Sequence, residues 1–164
     1  MKYIISLMGF LMILGFSSAQ QKTIKQSKVP QNVQDALKTK FPDATKNKWT
    51  IENNSYTAKC KQGKKKLYAA FSADGKWLKT TVIIQWKEVP EVVKTAYNIS
   101  TNKNANEKWK TEKVTQIDSS DGTTIYVVEM DNEWFIPSDS DAPNETCEIY
   151  ISSTGKIIKT IRKG

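Results

Sequence analysis

The 164-residue chain repeats itself at a fixed spacing. Val29-Pro30 returns 60 residues on as Val89-Pro90, Val33 as Val93, Ala36 as Ala96, and Lys48-Trp49 as Lys108-Trp109. A second echo carries Leu67–Thr80 onto Cys147–Thr160 at an offset of 80, matching Gly75-Lys76 with Gly155-Lys156 and Lys79-Thr80 with Lys159-Thr160. An echo of this kind means that one supersecondary unit is used twice. The fold must therefore be built from two similar pieces.

The apolar period describes the piece. Pro30 suits a first helical turn, where a missing N–H costs nothing. Val33, Ala36, Leu37 and Phe41 then recur every three or four residues, and Pro42 ends the helix. After a connector at Asp43–Lys48 the period drops to two: Tyr56, Ala58 and Cys60, then Leu67, Ala69 and Phe71, alternate with polar neighbours. Gly63 and Asp74-Gly75 mark hairpin turns, and a long strand starts at Trp77. In the second piece Val92, Val93, Ala96, Tyr97 and Ile99 form the helical stripe. Strands follow from Trp109 to Ile161, with turns at Ser119–Gly122 and Thr154-Gly155. The polar loop Pro137–Thr146 has no counterpart in the first piece and accounts for the growth of the offset. The expected fold is α+β: a tandem repeat of a helix plus an about four-stranded antiparallel sheet. The units are residues 29–86 and 87–164, packed as one domain behind a flexible leader at 20–28.

Residues 1–19 read as a signal peptide. Met1-Lys2 precedes an apolar run at Tyr3–Phe16, and Ser17-Ser18-Ala19 sets small residues before a cleavage after Ala19. The run, about 14 residues, is shorter than the ~20 a bilayer needs. The mature chain is thus expected to be periplasmic or secreted, meeting a membrane only through this segment before cleavage. Removing Lys2 leaves 24 basic and 17 acidic residues, a charge of +7. The lysines are scattered apart from Lys59–Lys66, which favours a basic soluble surface over nucleic-acid binding. In an exported chain Cys60 and Cys147 are either a disulfide closing a loop of about 90 residues or two separate buried thiols.

No residue set announces a chemistry. The absence of histidine removes the usual general base and the commonest zinc ligand. Paired carboxylates such as Asp118 with Asp121, or Asp131 with Glu133, fall in or beside turns. Asp139, Asp141 and Glu145 are a weak Ca²⁺ candidate that lacks the loop glycine and terminal glutamate of a calcium motif. No cofactor is expected.

One helix per unit can cover one sheet face, leaving the other for solvent or a partner. Strand parity puts Tyr56, Ala58, Leu67, Ala69 and Phe71 on the helix side. It leaves Lys59, Tyr68, Trp77, Lys79 and Tyr150 on the open side, a composition suited to binding.

The Val-Pro-x-x-Val opening, Phe41-Pro42 after one helix, and Phe71-x-x-Asp-Gly-Lys-Trp77 resemble the PepSY-like family of small exported bacterial proteins, common in Bacteroidetes. The second unit lacks the Phe-Pro stop and has Ile157 where the first has Trp77. The resemblance implies a fold similar to the β-lactamase inhibitory protein, in which a concave sheet surface grips a target. It also implies a non-enzymatic binding protein, a steric inhibitor or adaptor of an envelope or secreted protein. The expected partner is an acidic protein or peptide. A glycan or anionic lipid ligand and a purely structural envelope role are the alternatives.

Overall fold

The computed structural model describes residues 22–102, 109–132 and 146–163. Nine strands form one antiparallel sheet in sequence order: β1 (Lys22–Ile24), β2 (Thr45–Glu52), β3 (Ser55–Gln62), β4 (Lys65–Ser72), β5 (Trp77–Ile84), β6 (Trp109–Ser119), β7 (Thr124–Asn132), β8 (Thr146–Ser152) and β9 (Ile157–Lys163). Helix α1 (Gln31–Lys40) precedes β2, and α2 (Glu91–Asn102) precedes β6. The α+β expectation holds, but the sheet is not split into four-stranded halves. Val82 and Ile84 on β5 pair with Gln116 and Val114 on β6, and the ladder runs through.

Both helices lie on the same face. Val29, Val33 and Leu37 pack onto Trp49, Tyr56, Ala58, Cys60, Leu67, Ala69 and Phe71. Val89, Val93 and Tyr97 pack onto Ile84, Val114, Tyr126, Val128, Met130, Cys147, Ile149 and Ile151. The register explains why these sets share a side. Tyr56, Ala58 and Cys60 stand opposite Phe71, Ala69 and Leu67, and Leu67 stands opposite Val82. Farther on, Val114, Val128 and Ile149 form one cross-strand row. Val82 touches both clusters and joins them. Fully burying side chains of this size stabilises by roughly 1.5–3 kcal/mol each.

Local chemistry sets the element ends. Pro30 opens α1 and Phe41 closes it, with the Phe41 N–H donating to the Leu37 carbonyl at 2.8 Å. A short 3-10 turn, Trp86–Glu88, leads into α2, and the Glu88 carboxylate accepts from the Gln85 N–H at 2.9 Å. Gly75 sits at φ +84, where a Cβ would stand 3.0 Å from the Asn32 carbonyl oxygen. Gly155, at φ +81, would bring a Cβ within 2.8 Å of Val92 Cγ2. Glycine at these two turns lets the hairpin press against its helix.

Several expectations need correction. Lys22–Ile24, read as flexible leader, is an edge strand paired with Thr50 and its neighbours, and Ile24 packs against the first core cluster. The connector before Trp49 is partly strand, since β2 starts at Thr45. Val92 and Ile99 do not belong to the buried stripe of α2; they are 47% and 57% exposed. Of the two alternatives left open for Cys60 and Cys147, the structure has the separate buried thiols. Both are buried, on β3 and β8 in different core clusters. Five strand spacings separate them, on the order of 24 Å, far beyond the reach of a disulfide. Burial also pushes the Cys60 thiol up to about 11. The signal peptide, Glu133, and the polar loop Pro137–Thr146 up to Glu145, with the Ca²⁺ candidate Asp139, Asp141 and Glu145, lie outside the described residues.

Candidate functional site: the bare face of the sheet

The residues that alternate with the core line a face on which no described helix lies. Lys59 pairs with Tyr68, Tyr68 with Thr81, Thr81 with Ile117 and Ile117 with Ile125. One step along, Ile83, Thr115, Val127, Tyr150 and Lys159 form a second row. Ala70 and Lys79 pair beside them. Four of the five side chains expected on this face are therefore there: Lys59, Tyr68, Lys79 and Tyr150.

Trp77 is not. It stands opposite Phe71 and packs against the helix-side core, where its Nε1 donates to Thr80 Oγ1 at 2.9 Å. The Lys40 ammonium from α1 sits 3.6 Å from its ring centre. The cause is a β-bulge. Ala70 pairs with Lys79 but Phe71 pairs with Trp77, leaving Leu78 as an extra residue that shifts the alternation by one. Tyr150 and Ile151 show the same shift against Lys159 and Ile157.

The two halves of the bare face differ in charge. On the β6–β9 side the ions are matched. Lys113 lies 2.6 Å from Glu129 and Lys163 2.8 Å from Glu148. The Tyr150 hydroxyl donates to Glu148 at 2.8 Å, and the Lys159 ammonium covers the Tyr150 ring at 4.0 Å. The Lys163 hydrogen bond holds the Glu148 carboxyl below its ordinary range. Burial, then the bond to Glu148, pushes the Tyr150 hydroxyl up to about 12. On the β2–β5 side Lys48 stands directly across from Lys59, and Lys61 across from Lys66. These four and Lys79 are exposed and make no ion pair with a described residue. Lys48, Lys61 and Lys66 were legible by the same alternation that placed Lys59, since Cys60 and Leu67 between them are core.

Among the described residues the turn carboxylates are tied up locally. Asp118 accepts from Gln116 Nε2 and Thr124 Oγ1, while Asp121 accepts from the Thr123 N–H and hydroxyl within its own turn. Among the described residues no group of three or more potential metal ligands converges. A cavity of about 250 Å³ lies on the helix side, between the last turn of α2 and β9, lined by Thr101, Trp109, Met130, Ile149 and Arg162 among others.

A family model described as beta-lactamase-inhibitor-like, PepSY-like matches residues 17–70 and 54–159. The chain belongs to the PepSY-like family. Solved structures agree in fold. A BLIP-like protein from Bacteroides fragilis superposes with a TM-score of 0.65 at 24% identity, covering 81% of this chain and 85% of that one. A DUF2874 family protein from Bacteroides uniformis gives 0.65 at 22%, covering 81% and 88%. A Bacteroides eggerthii protein whose name places it in the periplasm gives 0.66 at 19%, covering 82% and 88%. At these identities the likeness is one of fold. No curated protein matches the chain significantly. The PepSY-like family is inhibitor-like in description rather than enzymatic, which suggests protein partners in general. No helix among the described residues is long and apolar enough to cross a membrane.

Proposed function

We propose that this PepSY-like chain is exported by way of residues 1–19, cleaved after Ala19, and acts in the periplasm or outside the cell as a non-catalytic binding protein. It would inhibit or adapt an envelope or secreted protein by covering part of its surface. One observation carries the reading: both described helices cover the same face of the sheet, and the opposite face presents Lys59, Tyr68, Lys79 and Tyr150 with no described helix over them. A face already held in shape by a nine-stranded ladder loses little conformational entropy on binding. Its lysines would steer an acidic partner. We also read the chain as two copies of one unit. The bulge at Leu78 recurs at Ile158, and the glycines that approach the helices at Asn32 and Val92 repeat the offsets of 60 and 80 residues.

The test is a pull-down from envelope extract with the mature chain beside a Lys59→Glu/Tyr68→Ala/Lys79→Glu/Tyr150→Ala variant shown to be folded. A partner retained in stoichiometric amount by the first and lost by the second is the expected result. Identical retention by both would remove the open face from the function.

A further inference from the structure

The bare face is divided, and the division says where a partner docks and what it is made of. We propose that the β2–β5 half is the docking half and that its occupant is an extended acidic polypeptide segment bearing an apolar side chain. This rests on the reading of the bare face as the binding surface, and it goes further by choosing one half and one class of ligand.

The first argument is electrostatic. Like charges directly opposite on neighbouring strands destabilise a sheet. The β2–β5 half nevertheless holds two such pairs, Lys48 with Lys59 and Lys61 with Lys66, and Lys79 lies nearby on the same face. The β6–β9 half has a like-charge pair of its own, Glu129 opposite Glu148, but a lysine neutralises each member, Lys113 on Glu129 and Lys163 on Glu148. An acidic ligand gains by settling on the first half, where it relieves repulsion. It gains nothing comparable on the second, where it would meet Glu129 and Glu148.

The second argument separates polypeptide from other polyanions. Sugars and nucleobases bind sheets by stacking on uncovered aromatic rings. Both tyrosines of this face already carry an ammonium: Lys59 over Tyr68 at 5.4 Å and Lys159 over Tyr150 at 4.0 Å. Among the described residues, the exposed large apolar side chain beside these lysines is aliphatic. Ile83 is 44% exposed, one residue beyond the Leu67–Val82 pair and so on the Lys66 side. Spacing agrees. Lys59 and Lys61 are two residues apart on one strand, about 7 Å, which is also the repeat of same-side residues in an extended peptide. Carboxylates at alternate positions can therefore meet successive lysines while an aliphatic or aromatic residue covers Ile83.

The test measures binding of the mature chain to a glutamate–tyrosine copolymer, with polyglutamate, heparin, polyuridylate and phosphatidylglycerol vesicles as competitors. The copolymer should bind more tightly than polyglutamate and out-compete the other three. A Lys48→Gln/Lys59→Gln/Lys61→Gln/Lys66→Gln variant should lose about tenfold or more in affinity. Ile83→Asp should erase the advantage of the copolymer over polyglutamate. A Lys113→Gln/Lys159→Gln/Lys163→Gln variant should change affinity less than about twofold, with each variant checked for an unaltered fold by circular dichroism. Equal or tighter binding of heparin, polyuridylate or vesicles overturns the choice of a polypeptide. Loss with the second variant and not the first moves docking to the other half and leaves the open face as the binding surface. If neither variant matters, the open face itself is not used and both readings fall.

Discussion

Trp77 shows how much one residue's placement can turn on a single backbone irregularity. Alternation counted back from Lys79 sends its ring to the open face; the extra Leu78 sends it under the Lys40 ammonium and onto the core beneath α1. Its role is then structural. Trp77→Ala removes a half-buried ring, a cation–π contact and the hydrogen bond to Thr80, and should cost about 2–3 kcal/mol in urea unfolding. It should leave affinity for any partner of the open face unchanged. A variant of wild-type stability with weakened binding would return Trp77 to the binding surface. Ring and lysine identities were legible in the sequence here. The side they occupy was not, because a bulge leaves no composition signature.

At the scale of the element, β8 and β9 are tied by polar contacts as well as by their ladder. Glu148 accepts from Tyr150 and pairs with Lys163, and Lys159 covers Tyr150 from the edge strand. The sign of the pH response follows from each shift. Glu148 is held below its ordinary 4.5, so its pairing contributes above about that pH and is lost as the pH falls below it. With Lys163 63% exposed, solvent screens that contribution and keeps it small. Tyr150 is shifted the other way. Its protonated form is favoured, so its contribution is present below 10 and is lost as the pH rises through about 12. Tyrosinate absorbance of the native chain should therefore include a late step near 12 that Tyr150→Phe removes. A variant profile superimposable on the wild type would mean that the β8–β9 edge is looser than described. The same edge shows how a sheet limits unwanted pairing: Lys159 and Lys163 lie on the outermost strand and the bulge at Ile158 twists it.

For the whole molecule the decisive fact is that, among the described residues, one antiparallel ladder joins β1 through β9 in sequence order. This spreads the two core clusters along one face, joined at Val82, and keeps Cys60 far from Cys147. Stability then owes nothing to a cross-link, although the chain reads as exported. The thermal midpoint of the mature protein should be the same with and without reductant, and the Cys60 thiol, buried and pushed up to about 11, should resist thiol reagents until the chain unfolds. A midpoint that falls in reductant would show that the strands are not ordered as described.

The sequence by itself determined most of the elements, but not β1 or the start of β2. Apolar spacing of three to four residues defined α1 and the buried side of α2 through Val93 and Tyr97. Period two defined β3, β4 and most of their partners, and Gly63, Gly75, Gly122 and Gly155 marked turns at positive φ. These are local properties, fixed by backbone sterics and by which side chains avoid water within a few residues. Tertiary structure alone decided that the two sheets are one, that both helices share a face, and that Trp77 turns inward. It also decided that Lys48, Lys59, Lys61, Lys66 and Lys79 make no ion pair with a described residue while Lys113 and Lys163 are paired. Each depends on cross-strand register, which follows from packing and hydrogen bonding between segments that sequence spacing cannot align.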